Sequence, residues 1–176
     1  EGDSGMIFIS SGISPLRRSG DISFVGGSTS GVASQVNLKA GDSDTSIGGS
    51  ISIIAGNGSK EGGNIHVSAG DSIVGTGGFI SLAAGSGSAY GSGKILVNSG
   101  RNGNGRSGII QLKTGDGGIT SGNMKISTGK GIARSGDITV SSGKGFLRSG
   151  NLYIRSGSST EMTSGNIGIQ SGSSQS

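Results

Sequence analysis

The residues able to do chemistry are few and scattered along the chain. His66 is the single histidine, and the repeat described below brings Ser52 and Ser81 near it, but no carboxylate is placed to complete a serine triad. Asp42 and Asp44 are too sparse to hold a metal ion, which needs several clustered ligands. The chain has no cysteine, which excludes disulfides, zinc–thiolate sites and cysteine nucleophiles. We therefore predict that the protein is not an enzyme and has no cofactor or metal site.

Two short motifs remain to be considered. Residues 103–108 fit the pattern GxGxxG, but they do not open a helix after a strand, as dinucleotide binding requires. With 40 glycines in 176 residues, such a match arises by chance. Asn57-Gly58-Ser59 is an N-glycosylation sequon in a predicted turn, which makes Asn57 a candidate glycosylation site.

The charge pattern and the hydropathy exclude two classes of partner. The 14 basic and 10 acidic side chains are interspersed, and Arg17-Arg18 is the only basic pair, so no basic run tracks a phosphate backbone. No apolar stretch approaches the roughly 20 residues that a membrane-spanning helix needs. We predict neither a nucleic-acid partner nor a membrane span.

A repeated phrase, Ser-Gly-x-Ile-x-Ile-x-Ser-Gly, organises residues 1–176 into one array of twelve copies. Positions below are counted within a copy. Positions 4 and 6 are large and apolar in every copy, position 8 is small, and position 9 is always glycine. Position 2 is glycine in eleven copies, with Ser34 as the exception. The copies begin 14 or 15 residues apart, at Ser4, Ser19, Ala33, Gly48, Gly62, Gly77, Ser92, Ser107, Ser121, Ser135, Ser149 and Ser164.

Apolar residues spaced by two are typical of a strand with one buried face. We predict an all-β fold, a parallel β-solenoid (β-helix) of about twelve glycine-cornered coils, because one rule holds for every copy, whereas alternate strands of a meander often diverge. The expected core is Ile7, Ile9, Ile22, Phe24, Ile51, Ile53, Ile65, Val67, Ile80, Leu82, Ile95, Val97, Ile110, Leu112, Ile138 and Val140. Corners that need positive φ are expected at Gly12, Gly27, Gly41, Gly56, Gly70, Gly85, Gly100, Gly115, Gly129, Gly143, Gly157 and Gly172.

Arginines precede four of the copies, at Arg18, Arg106, Arg134 and Arg148. In a solenoid Arg134 and Arg148 would lie on adjacent coils, and Lys130 and Lys144 would do the same. This basic edge is either a site for an acidic partner or a solvated edge that discourages unwanted strand pairing.

Two phrases carry a family resemblance, Gly62-Gly63-Asn64-Ile65-His66-Val67-Ser68-Ala69-Gly70 and residues 135–143. They resemble the glycine-rich repeat proteins of the secreted stramenopile (diatom and oomycete) type, and more weakly the β-helical repeats of filamentous-haemagglutinin-type adhesins. The resemblance covers nearly the whole chain and implies an extracellular or cell-surface role, structural or adhesive. It supplies no functional residues.

The expected function is a structural subunit of an extracellular filament, tubule or matrix fibre that self-assembles through the ends and faces of the solenoid. Uncapped ends favour this, since the last copy still carries Ile167 and Ile169. The alternative is an adhesin or a module that binds a glycan or a cell surface. Ice binding is less favoured, because the outward positions show no flat row of threonine.

Overall fold

The computed structural model describes residues 4–173, and within that range no residue lies in a helix or a strand. The chain consists of irregular segments separated by sharp bends. The bends lie at 15–17, 30–32, 44–46, 59–61, 73–75, 88–90, 103–105, 118–119, 132–133, 146–147 and 160–162. Each begins at position 12 of a repeat, so the backbone bends with the same 14- or 15-residue spacing as the sequence.

The chain divides into two units, Glu1–Ser92 and Gly93–Ser176. The first unit contains six of the bends and the second contains five. In the first unit, the backbone amide of a position-2 glycine donates a hydrogen bond to the carbonyl of the preceding position-9 glycine. These bonds join Gly49 to Gly41 (2.8 Å), Gly63 to Gly56 (2.9 Å) and Gly78 to Gly70 (2.9 Å). In the second unit, the same bond joins Gly108 to Gly100 (3.4 Å) and Gly165 to Gly157 (3.0 Å). Each bond closes a loop around one bend.

The prediction of a parallel β-solenoid is wrong. Coils of a solenoid are joined by backbone hydrogen bonds between residues one repeat apart, and none of the bonds between described residues spans that distance. The observed bonds join residues only seven or eight apart. Two large apolar side chains per repeat provide little burial, while glycine loses more conformational freedom on ordering than any other residue. Local loops, which fix few residues per bond, therefore form instead of a long ladder.

The solenoid core expected from the sequence is not formed, and in the described residues no hydrophobic side chain is buried. The exposed set includes Ile7, Ile9, Ile22, Phe24, Ile51, Ile53, Ile65, Val67, Ile80, Leu82, Ile95, Val97, Ile110, Leu112, Ile138 and Val140, whose exposure runs from 47% at Ile22 to 89% at Ile7. The accessible surface is 18871 Å² for 17.0 kDa, whereas a folded monomer of that mass exposes about 7,700 Å². The chain keeps most of its apolar surface in contact with solvent.

The position-9 glycines do not form the corners with positive φ that the sequence predicts. Gly91 is the one described residue with positive φ, at 110°, and it does not belong to the position-9 set. The position-9 glycines are Gly12, Gly27, Gly41, Gly56, Gly70, Gly85, Gly100, Gly115, Gly129, Gly143, Gly157 and Gly172, and a Cβ on any of them would meet no atom within 4 Å. Neither backbone conformation nor crowding within the chain requires glycine at position 9.

Candidate functional site

Side chains pack closely at several junctions between repeats, where position 8 of one repeat meets position 2 of the next. A methyl group on Gly49 would lie 3.1 Å from the Ala40 Cβ, and one on Gly78 would lie 3.2 Å from the Ala69 Cβ. Ala40 and Ala69 are among the few described residues that are partly covered rather than exposed. Glycine is therefore explained at Gly49, Gly63 and Gly78 by the alanine Cβ that packs against it, whereas the contact is looser at other junctions, such as Gly122 at 3.8 Å from Thr114.

Ten of the eleven bends are held in one of two ways, according to the residue at position 11. In five of them this residue is Ser, Thr or Asn, and its side-chain oxygen accepts a hydrogen bond from a backbone amide two or three residues later, as in polar-residue turns. These bonds run from Gly31 to Thr29 (3.2 Å), Ser46 to Ser43 (3.0 Å), Gly75 to Ser72 (2.9 Å), Asn104 to Asn102 (3.0 Å) and Met162 to Ser159 (2.9 Å). The polar side chain supplies the acceptor that the tight backbone lacks.

In five other repeats position 11 is glycine, and the bend brings a later carbonyl oxygen over it. The pairs are Gly58 with Glu61, Gly87 with Gly91, Gly117 with Thr120, Gly131 with Arg134, and Gly145 with Arg148. A Cβ at any of these glycines would collide with the carbonyl oxygen of its partner. Here glycine is needed because the backbone approaches too closely for a side chain.

Apolar side chains project from the bends. Those more than 95% exposed are Leu16, Val32, Ile73, Val74, Tyr90, Ile119, Ile132 and Phe146. Isolated exposed apolar residues are normal on protein surfaces, and these occur at seven of the eleven bends. They form a second set of exposed apolar groups, separate from positions 4 and 6.

The arginines that precede the repeats are partly paired within the chain. Arg18 contacts Asp21 and Arg134 contacts Asp137, each with Nη2 to Oδ2 at 3.1 Å. In both pairs the arginine precedes a repeat and the aspartate occupies position 3. The side chains are 76–86% exposed, so solvent screens the attraction. The stacking of Arg134 on Arg148, and of Lys130 on Lys144, was expected only from the solenoid and is withdrawn with it.

The residues singled out for chemistry do not converge. His66 is exposed, and Asp42 pairs with Lys39 at 2.7 Å. Asn57 is exposed just before the bend at 59–61, and residues 103–105 form a bend rather than the start of a helix. In the described part of the chain there is no cavity and no group of three or more potential metal ligands. Residues 4–173 contain no helix, so this part of the chain has no helix that is long and apolar enough to cross a membrane.

Two rows of residues remain as the candidate site, and both recur in every repeat. The apolar row consists of positions 4 and 6, such as Ile95 and Val97, which are 56% and 64% exposed. The glycine row consists of position 9, such as Gly100. Sequence reasoning identified both rows but assigned them to the interior and the corners of a solenoid. Chemically, such a surface offers dispersion contacts and apolar burial, with no group placed for catalysis.

Comparison with protein-family models, with curated proteins and with solved structures finds no match to this chain.

Proposed function

We propose that the protein is a structural subunit of an extracellular filament, tubule or matrix fibre, built by the association of many copies of the chain. One observation carries this proposal: the same pair of apolar positions is exposed in all twelve repeats. Apolar surface of this extent is rare on monomeric soluble proteins and marks interaction surfaces. The extracellular location is inferred from the resemblance to secreted glycine-rich repeat proteins.

The energetics support association as the source of order. An isolated chain with 18871 Å² of accessible surface leaves the hydrophobic contribution to stability largely unrealised. Each large aliphatic side chain that becomes fully buried contributes about 1.5–3 kcal/mol. With two such side chains in each repeat, the contribution grows with the number of repeats that find a partner surface. A long repetitive chain therefore gains from polymerisation what it lacks as a monomer.

A surface-binding module is the second candidate, and the aromatic residues at the bends favour it. Tyr90 and Phe146 are fully exposed at their bends, where an aromatic ring can stack on an apolar sugar face. Only two bends carry such a ring, whereas the apolar row recurs in all twelve repeats. The filament subunit is the better supported of the two.

The test is the mass of the purified chain as a function of concentration and temperature, measured by light scattering and accompanied by negative-stain imaging. We expect growth into regular filaments above a threshold concentration. Since hydrophobic association weakens on cooling, the threshold should rise at low temperature. A chain that stays monomeric at high concentration would overturn the filament proposal, and monomers that bind glycan through Tyr90 and Phe146 would establish the second candidate.

A further inference from the structure

We propose that copies of the chain contact one another through one face of the repeat, with the apolar row buried and the glycine row lying where two backbones approach. This inference rests on the proposed function, because it names the surface by which the subunits associate. The occupant of the face is a second copy of this chain.

The apolar row provides enough surface for a stable contact. It has twelve side chains in each unit, and those expected in the solenoid core are between 47% and 89% exposed. If each contributes on the order of 50 Å² of apolar area, the twelve side chains of one unit offer about 600 Å², at the lower end of the roughly 600–1,000 Å² per partner that a standard interface buries. The bend residues differ in this respect, since Ile132 is fully exposed and has no counterpart in many repeats.

The glycine row shows where the second chain comes closest. At the tight junctions glycine at position 2 is explained by the side chain packed on it, as at Gly49 against Ala40, and glycine at position 11 by the carbonyl above it, as at Gly131. Gly100 and its counterparts at position 9 have open space around them and no positive φ. Glycine recurs at position 9 in all twelve repeats without either reason, whereas open glycines in the bends, such as Gly31 and Gly103, do not recur in every repeat. We take the recurrent row as the place where another backbone approaches. The row does not carry the inference alone; it lies three residues beyond the apolar row in every repeat.

The repeat spacing identifies the partner as a second copy. A partner that needs glycine at position 9 in all twelve repeats must present matching groups every 14 or 15 residues. Another copy of the chain has that spacing throughout. A single globular partner covers only a few repeats and gives no reason for the same residue in the remaining ones.

The experiment compares two sets of three alanine substitutions. The test set is Gly85→Ala, Gly100→Ala and Gly115→Ala, all in the glycine row. The control set is Gly31→Ala, Gly103→Ala and Gly118→Ala, which lie in the bends and also have open space around them. Both sets add three methyl groups without a clash inside the chain, so the dilute monomers should keep the hydrodynamic radius of the wild type.

The measured quantity is the concentration at which filaments appear. We expect the test set to raise it about tenfold or more, since added methyl groups at a close contact cause overpacking, and the control set to change it less than about twofold. A second comparison sets two variants of the apolar row, Ile95→Asp and Val97→Asp, against the bend variant Ile132→Asp. We expect the first two to block filament assembly, because each would bury an unpaired charge, and the third to allow it.

The two proposals fail in different ways. A wild-type chain that never polymerises overturns the proposed function and this inference with it. A wild-type chain that polymerises, with equal thresholds for the test and control sets and for the three aspartate variants, leaves the proposed function standing and overturns the assignment of the contact face.

Discussion

Gly26 and Ser34 reverse the pattern of the other junctions: glycine stands at position 8 and the residue with a side chain stands at position 2. Ser34 is the one non-glycine residue at position 2, and Gly26 is the one glycine at position 8. A Cβ on Gly26 would lie 2.7 Å from the Ser34 Oγ, and that hydroxyl donates a long hydrogen bond of 3.4 Å to the Gly27 carbonyl. This junction and the tight ones at Gly49, Gly63 and Gly78 therefore each hold one side chain, on opposite members.

The first prediction transfers this exchange to another junction. In Gly49→Ser the new Cβ would lie 3.1 Å from the Ala40 Cβ and 3.1 Å from the Gly41 amide nitrogen, so the loop should open. Adding Ala40→Gly removes one of the two contacts and reproduces the Gly26–Ser34 arrangement. We expect hydrogen-exchange protection of the residue-49 amide to fall in the single variant and to recover in the double variant.

Two results decide this prediction. Residues in direct contact show coupling energies of about 0.5–3 kcal/mol in double-mutant cycles, and the exposed position of this junction favours the lower end. The Ala40→Gly variant alone should change protection little and serves as the control. Protection lost equally with and without Ala40→Gly would contradict the rule of one side chain per junction.

The junction rule was present in the sequence, but its meaning depended on the fold. Small residues at position 8 and glycine at position 2 were visible in the repeat, and the exchange of Gly26 with Ser34 is the signal that pairs the two positions. That pairing links residues eight or nine apart, a local contact. Glycines at the corners of a coil would imply backbone hydrogen bonds between residues one repeat apart, and the described residues make none.

The second prediction concerns glycine at position 11. In Gly131→Ala the added Cβ would collide with the Arg134 carbonyl oxygen, so the bend at 132–133 must open. Since backbone cannot move aside as cheaply as a side chain, we expect clear chemical-shift changes over residues 130–135 in the NMR spectrum of the dilute chain.

The matched control for this bend is Gly129→Ala, two residues earlier, where a Cβ meets no atom within 4 Å. It should shift only its immediate neighbours. Similar spectra for Gly131→Ala and the wild type would show that the carbonyl does not sit above residue 131 in solution.

The third prediction concerns the polar form of the same bend. Ser72→Ala removes the acceptor of the Gly75 amide, a bond of 2.9 Å, without adding bulk. A typical hydrogen bond contributes about 0.5–1.5 kcal/mol, and an exposed one lies at the low end. Exchange of the Gly75 amide should quicken about two- to threefold, whereas Ser68→Ala, outside the bend, should leave it unchanged. An unchanged rate in Ser72→Ala would mean that water replaces the hydroxyl at no cost.

The alternation of polar and glycine residues at position 11 shows the limit of sequence reasoning here. A serine such as Ser72 and a glycine such as Gly131 look interchangeable in a Ser- and Gly-rich segment. Only the backbone reveals that one supplies an acceptor and the other avoids a carbonyl. The extent of burial was also beyond the sequence, because apolar residues spaced by two indicate a common face without stating whether the chain itself covers that face.

The last prediction concerns the ion pair between Arg134 and Asp137. Asp137 contacts Arg134 at 3.1 Å, while Arg148 is followed three residues later by Asn151, which has no charge to offer. Exposed ion pairs contribute about 0–1 kcal/mol, so Asp137→Asn should leave the hydrogen-exchange protection of the chain nearly unchanged. It should, however, free the Arg134 guanidinium to contact an acidic partner. We expect the variant to elute from a heparin column at higher salt than the wild type, because more cationic groups then contact the polyanion.

The control is Asp42→Asn, which frees Lys39, distant in sequence from Arg134, and adds the same net charge. Equal shifts for the two variants would show that net charge alone governs the interaction and that Arg134 has no special role in binding an acidic partner.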